Sequence, residues 1–145
     1  MVLREVQRIG LPSLEVQIQP EERTLVNFET NFFARPQAFE ESVTLLGQDV
    51  DVRADPVRFD WTFGDGSSEQ TPSAGAPYPD LEITHTYSDA DVTVQPSVAV
   101  TYAAEFRVGD GDWEQIPETV TISGPPVPLR VVEATPVLSG EGQRR

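Results

Sequence analysis

Thirteen prolines are spread along the whole of this 145-residue chain, and they leave few windows in which a helix can run. Proline lacks the amide hydrogen that a helix interior needs and clashes with the preceding turn. Isolated helices shorter than about 12 residues are marginal in water in any case. No apolar stripe of helical period extends beyond two turns, and the best window left, Arg35 to Ser42, offers a single helical turn. The chain must therefore be built from strands. Its residue types agree, because 18 valines against 9 leucines, together with 12 threonines, favour a pleated, half-buried surface.

Alternation of apolar and polar residues places the strands. Leu14, Val16 and Ile18 share a face ahead of Pro20, and Thr24 to Phe33 reads as a second strand with Val26 and Phe28 together. Val43 to Leu46 and Val50 to Arg53 flank Gly47-Gln48 as a hairpin. Arg58 to Phe63 sets Phe59, Trp61 and Phe63 on one face, and Leu81 to Tyr87 follows. Val92 to Thr101 is interrupted by Pro96, which suits an edge or a bend. Ala104 to Val108 and Trp113 to Ile116 flank Gly109-Asp110-Gly111-Asp112, the strongest turn signal in the chain. Val120 and Ile122 continue the pattern, and Leu129 to Val132 is the last strand. About ten short strands at roughly 8–12-residue spacing predict an all-β sandwich or barrel. Residues 1–42 are expected to add N-terminal strands to the sandwich formed by 43–137, with 138–145 a frayed tail.

Charge and missing residue types remove whole classes of function. Aspartate and glutamate number 24 against 10 arginines, no lysine and one histidine, for a net charge of -14. That excess argues against nucleic acid or anionic lipid as the partner. Without cysteine there is no thiol catalysis, disulfide framework or cysteine-ligated zinc, and a single histidine cannot supply a multi-histidine metal site. No apolar run approaches the ~20 residues needed to span a bilayer. The charged start, Met1 to Arg8, is not followed by an apolar segment, so no signal segment is expected within this chain.

The most specific stretch is Phe59-Asp60-Trp61-Thr62-Phe63-Gly64-Asp65-Gly66, a strand with three aromatics on one face running into a Gly-Asp-Gly turn. The glycines supply the positive φ of a tight reversal, and the aspartate between them can fold back onto main-chain amides. Downstream comes Thr84-His85-Thr86-Tyr87 at another strand end. This pairing resembles the polycystic-kidney-disease (PKD) repeat, on Trp61, Phe63, Gly64, Asp65, Gly66, His85, Thr86 and Tyr87, over roughly Val43 to Val108. Where that repeat has a glycine and a second aromatic after the tyrosine, this chain has Ser88-Asp89-Ala90-Asp91-Val92. The arrangement also looks like PKD-like envelope-associated proteins of actinobacteria. The resemblance implies an immunoglobulin-like antiparallel β-sandwich with structural motif residues. Trp61 would fill the inter-sheet core and Tyr87 would anchor a strand corner. It further implies an extracellular module for protein or carbohydrate contacts.

Candidate sites are few. His85 lacks the nucleophile elbow of a hydrolase and is expected to hydrogen-bond turn residues. Asp110-Gly111-Asp112 superficially matches the opening of a calcium loop, but Gln115 stands where that loop needs glycine. No cofactor is expected; calcium is the one ion the acids leave open, through Asp89 and Asp91 or Asp110 and Asp112. Tyr78, in the proline-rich segment Ser67 to Pro79, and Trp113, with Asp110 and Asp112 beside it on the hairpin, are the binding candidates. The expected function is a non-catalytic interaction module with a protein or polysaccharide partner at the cell surface. A structural spacer and, far behind, an acid-pair hydrolase are the alternatives.

Overall fold

The computed structural model describes residues 10–133; the tail expected at 138–145 lies outside them. Twelve strands run through this part of the chain, with no helix among the described residues. They are β1 (Gln17–Gln19), β2 (Arg23–Leu25), β3 (Thr30–Phe33), β4 (Phe39–Leu45), β5 (Gln48–Thr62) and β6 (Ser68–Thr71), then β7 (Thr84–His85), β8 (Val92–Val94), β9 (Ser97–Val108), β10 (Glu114–Gln115), β11 (Val120–Ser123) and β12 (Leu129–Val132).

Two long strands organise the molecule. β5 and β9 pair antiparallel along nearly their whole length. The outer edge of β5 is shared by β4 on its first half and β6 on its second. The outer edge of β9 is shared by β11 and β10 in the same way. Two three-stranded sheets, β1-β3-β7 and β2-β12-β8, contribute to the same core. A buried hydrogen bond between the Thr24 and Thr30 hydroxyls ties them together. The result is an all-β, immunoglobulin-like sandwich, antiparallel except where β2 runs parallel to β12.

The sequence pattern suggested two strands where β5 is one, and the reason is a bulge. Up to Pro56 the residues opposite Phe106, Ala104 and Tyr102 have even numbers, namely Val52, Ala54 and Pro56. The register then shifts between Pro56 and Arg58, and the inward residues become Phe59 and Trp61, opposite Val100 and Val98. One extra residue, the exposed Val57, reverses the parity so that both halves keep their apolar set on the core side. Proline, with no amide hydrogen to give a ladder, is tolerated at such a break.

Other expectations are corrected by turns. The strand expected from Thr24 to Phe33 is divided into β2 and β3 by a turn in which Asn27 takes φ 61°. The helical turn expected at Arg35 to Ser42 does not form, and its second half belongs to β4. The separate strands expected at Val92 to Thr101 and Ala104 to Val108 are instead β8 and one continuous β9, divided at Pro96. The β4–β5 hairpin turns on Leu46 and Gly47, one residue earlier than the glycine suggested, with positive φ at both as a type I′ turn needs. Part of the segment read as a long loop, Ser68–Thr71, is the paired strand β6. Its residues are nearly all exposed, so it carried no alternation to read.

Candidate functional site

The aromatic strand and its turn build a closed corner. Trp61 is only 1% exposed, and its indole N–H donates to the Thr71 hydroxyl at 2.8 Å. Phe59 stacks beside it, and Phe63 meets Phe32 of β3 edge-on at 5.0 Å. The chain then reverses through Gly64, whose φ is 91°; a Cβ there would lie 2.7 Å from the main-chain nitrogen of Gln95, so no side chain fits. Asp65 accepts the Ser67 amide hydrogen on one oxygen and His85 Nε2 on the other, at 3.0 and 2.7 Å. His85 lies flat against Phe63 at 4.2 Å, and Tyr87 meets it edge-on. The Tyr87 hydroxyl donates to the Phe63 carbonyl at 2.7 Å, while Thr86 between them faces solvent.

The electrostatics of the corner follow from this geometry. Burial raises the Asp65 carboxyl, but the hydrogen bonds from His85 and Ser67 outweigh it, and the group sits below its ordinary pKa. An ionised carboxylate only accepts hydrogen bonds, so the imidazole presents a protonated Nε2 to it. Burial, and then the charge on Asp65, push the Tyr87 phenol well above its usual range. The single imidazole is thus held by an aspartate and two aromatic rings, with no serine hydroxyl bonded to it among the described residues.

A second region has the opposite character. Between β1, β2, the turn after it and the proline-rich loop lies a groove of about 920 Å³. Leu25, Phe28, Tyr78 and Leu81 expose their side chains along it, Tyr78 by 71% and Phe28 by 49%. The loop that carries Tyr78 is fastened down. Ala74 accepts the Ala34 amide hydrogen, Ala76 accepts from Asn31 Nδ2, and the Tyr78 amide donates to Gln19 Oε1 at 2.7 Å. Gly75, with φ 76°, lets the loop approach β3 so closely that a Cβ would lie 2.7 Å from the Phe32 carbonyl oxygen.

One buried polar atom beside the groove is left over. Because Gln19 Oε1 accepts a main-chain N–H, it is the oxygen; the Asn31 atom 3.0 Å from it must therefore be the amide nitrogen. That nitrogen donates to Gln19 and to the Ala76 carbonyl, which leaves Asn31 Oδ1 as a buried acceptor without a partner among the described residues, in a residue only 1% exposed.

The binding candidates read from sequence are not brought to one surface. Tyr78 lines the groove. Trp113 lies against the ribbon of β5 and β9, with the Arg53 and Arg107 guanidiniums 3.9 and 4.9 Å from its ring centre. Both arginines are themselves paired, Arg53 with Glu105 at 2.7 Å and Arg107 with Asp51 at 2.9 Å. Hydrogen bonds from Ser42 and then Arg107 hold the Asp51 carboxyl below its ordinary pKa. Asp110 and Asp112 stand exposed at the hairpin tip, Asp89 is exposed, and Asp91 reaches Arg130 at 4.0 Å. Among the described residues no three acidic or histidine side chains converge as a metal set. Phe28, Leu25, Leu81 and Asn31 escaped the sequence reading, because Phe28 and Leu81 sat in patterns that resembled inward-facing strand positions. The Asn27-Phe28 turn was the available signal, since asparagine tolerates positive φ.

Comparison with known families matches residues 26–99 to the PKD domain, and the chain belongs to that family. Domains of this kind are in general non-catalytic interaction modules of extracellular proteins, contacting proteins or carbohydrates. The match begins upstream of Val43 and stops within β9, short of Val108. No curated protein and no solved structure matches the chain.

Proposed function

We propose that this chain is a non-catalytic binding module, acting outside the cell or at its envelope, that engages a protein or carbohydrate through the groove beside Tyr78. The observation that carries the reading is the contrast in that groove. Four large apolar side chains stand in water along a groove that also takes in Asn31, whose buried Oδ1 has no partner among the described residues. Clustered exposed apolar surface of this kind, with a few convergent polar groups, marks binding sites. Membership of the PKD family supports the extracellular placement and the absence of chemistry.

The test is a paired screen of the full chain on glycan arrays and in pull-downs. Retention of a partner, weakened by Tyr78→Ser, supports the reading. Turnover of a substrate by the pure protein overturns it. The β5–β9 ribbon favours a second role as a spacer: 15 residues of β5 extend about 50 Å at roughly 3.3 Å each. Neighbouring modules in the gene would favour that role.

A further inference from the structure

The chemistry of the groove narrows the partner, in an inference that rests on the reading just given. We propose that the groove receives an extended segment of a partner polypeptide. That segment carries apolar side chains and at least one lysine or arginine, and lies along the free edge of β2.

Three separate features lead there. The first is main-chain supply. β2 is the terminal strand of β2-β12-β8. Its neighbours Glu22 and Val26 turn their carbonyl and amide to β12, bonding Arg130 and Val132. In a parallel ladder the residues that face the partner strand alternate with those that face away. Arg23 and Leu25, both of which line the groove, are of the second kind. The Arg23 amide hydrogen goes to the Glu21 carbonyl and the Leu25 carbonyl accepts from Phe28, so among the described residues the Arg23 carbonyl and the Leu25 amide are what this edge offers to one residue of an incoming extended chain.

The second feature is the kind of apolar surface. Sugar rings stack on aromatic faces, and Tyr78 and Phe28 could serve them. Leu25 and Leu81 flank those rings and offer nothing to a hydroxylated ring edge; they match aliphatic or proline side chains of a peptide.

Charge is the third. Glu21 and Glu29 line the groove against the single Arg23, in a protein of net charge -14. A cationic segment is drawn to such a site, and an acidic one is repelled.

The experiment uses the full chain, panned against phage-displayed random dodecapeptides and probed in parallel on a glycan array. Enriched sequences are expected to join apolar residues to a lysine or arginine. A synthetic copy of the best of them, followed by fluorescence anisotropy, should bind about tenfold more weakly to Tyr78→Ser and to Leu25→Ser. The double variant Glu21→Arg with Glu29→Arg should lose affinity most at low salt, whereas Trp113→Ala should bind as the parent does. In the complex, hydrogen exchange at the Leu25 amide should slow. Thermal melts show that each variant is folded. Enriched peptides whose binding ignores Tyr78→Ser and Leu25→Ser overturn the proposed site. Glycan binding that needs Tyr78, without peptide enrichment, overturns the peptide proposal and leaves the module reading standing. Binding to neither class overturns both.

Discussion

The corner at Gly64 and the groove beside Tyr78 each combine aromatic rings with buried polar groups, and they differ in whether those groups are satisfied. In the corner, Asp65, His85, the Tyr87 hydroxyl and the Trp61 indole all have partners inside the chain. In the groove the aromatic rings meet water, and beside it Asn31 Oδ1 has no partner among the described residues. A buried unpaired polar group costs about 1–3 kcal/mol, so Asn31 Oδ1 sets this region apart from the satisfied corner. The corner stabilises the fold, while the groove is the surface proposed to take a partner.

Removing the centre of the corner should produce the largest change. Trp61→Ala deletes the largest of the fully buried side chains and leaves Thr71 without its donor. A loss of about 3–5 kcal/mol is expected, and for a domain of this size a fall in Tm of roughly 10 °C or more. Circular dichroism melts measure it; an unchanged Tm would detach the corner from stability altogether.

The next largest effect divides two glycines of one turn. Both have φ near 90°, but only Gly64 is crowded, by the Gln95 main chain and the Val94 side chain. Gly64→Ala carries the left-handed penalty and a backbone clash, at least ~2 kcal/mol together, whereas Gly66→Ala carries the conformational penalty alone, about 1 kcal/mol. Equal losses in denaturant titrations would show that close approach is not what selects glycine at position 64.

These residues also show how far the sequence could be read. The aromatic alternation, the Gly-Asp-Gly turn and the His-Thr-Tyr triplet are local signals, and each sits at a strand or turn that its own chemistry dictates. The groove is not local. Gln19 and Asn31 are brought opposite each other by the β1–β3 ladder, and the loop of Tyr78 is joined to them through their side-chain amides, bonds that leave no periodic trace. The bulge at Val57 was hidden for a related reason: a one-residue parity change looks like the end of one strand and the start of another. The polar strand β6 had no alternation to betray it.

A smaller effect comes from titration of the corner. The native Asp65 carboxyl has a pKa below its unfolded value of about 3.9. The stability it contributes is therefore present above about pH 4 and is lost as pH falls through the native pKa. Asp65→Asn should lower Tm at pH 6 and flatten its decline between pH 5 and 3. At the other limb, burial raises the Tyr87 and Tyr102 phenols. Their contribution holds below about pH 10, where unfolded tyrosine ionises, and fades above it. An acid limb as steep in Asp65→Asn as in the parent would place the sensitive carboxylates elsewhere, with Asp51 the next candidate.

The smallest expected change in stability belongs to the groove, and it sets two tyrosines side by side. The Tyr87 hydroxyl closes a buried hydrogen bond to Phe63, so Tyr87→Phe leaves a carbonyl unpaired and should lose about 1–3 kcal/mol. Tyr78 holds its loop through the main-chain amide that donates to Gln19, while its ring stands in solvent. Tyr78→Ser keeps that amide and removes only exposed surface, so its Tm should stay within the ~0.5 kcal/mol typical of surface substitutions. If Tyr78→Ser melts as early as Tyr87→Phe, the phenol belongs to the framework, and the distinction between a satisfied corner and an available groove fails at the residue on which it most depends.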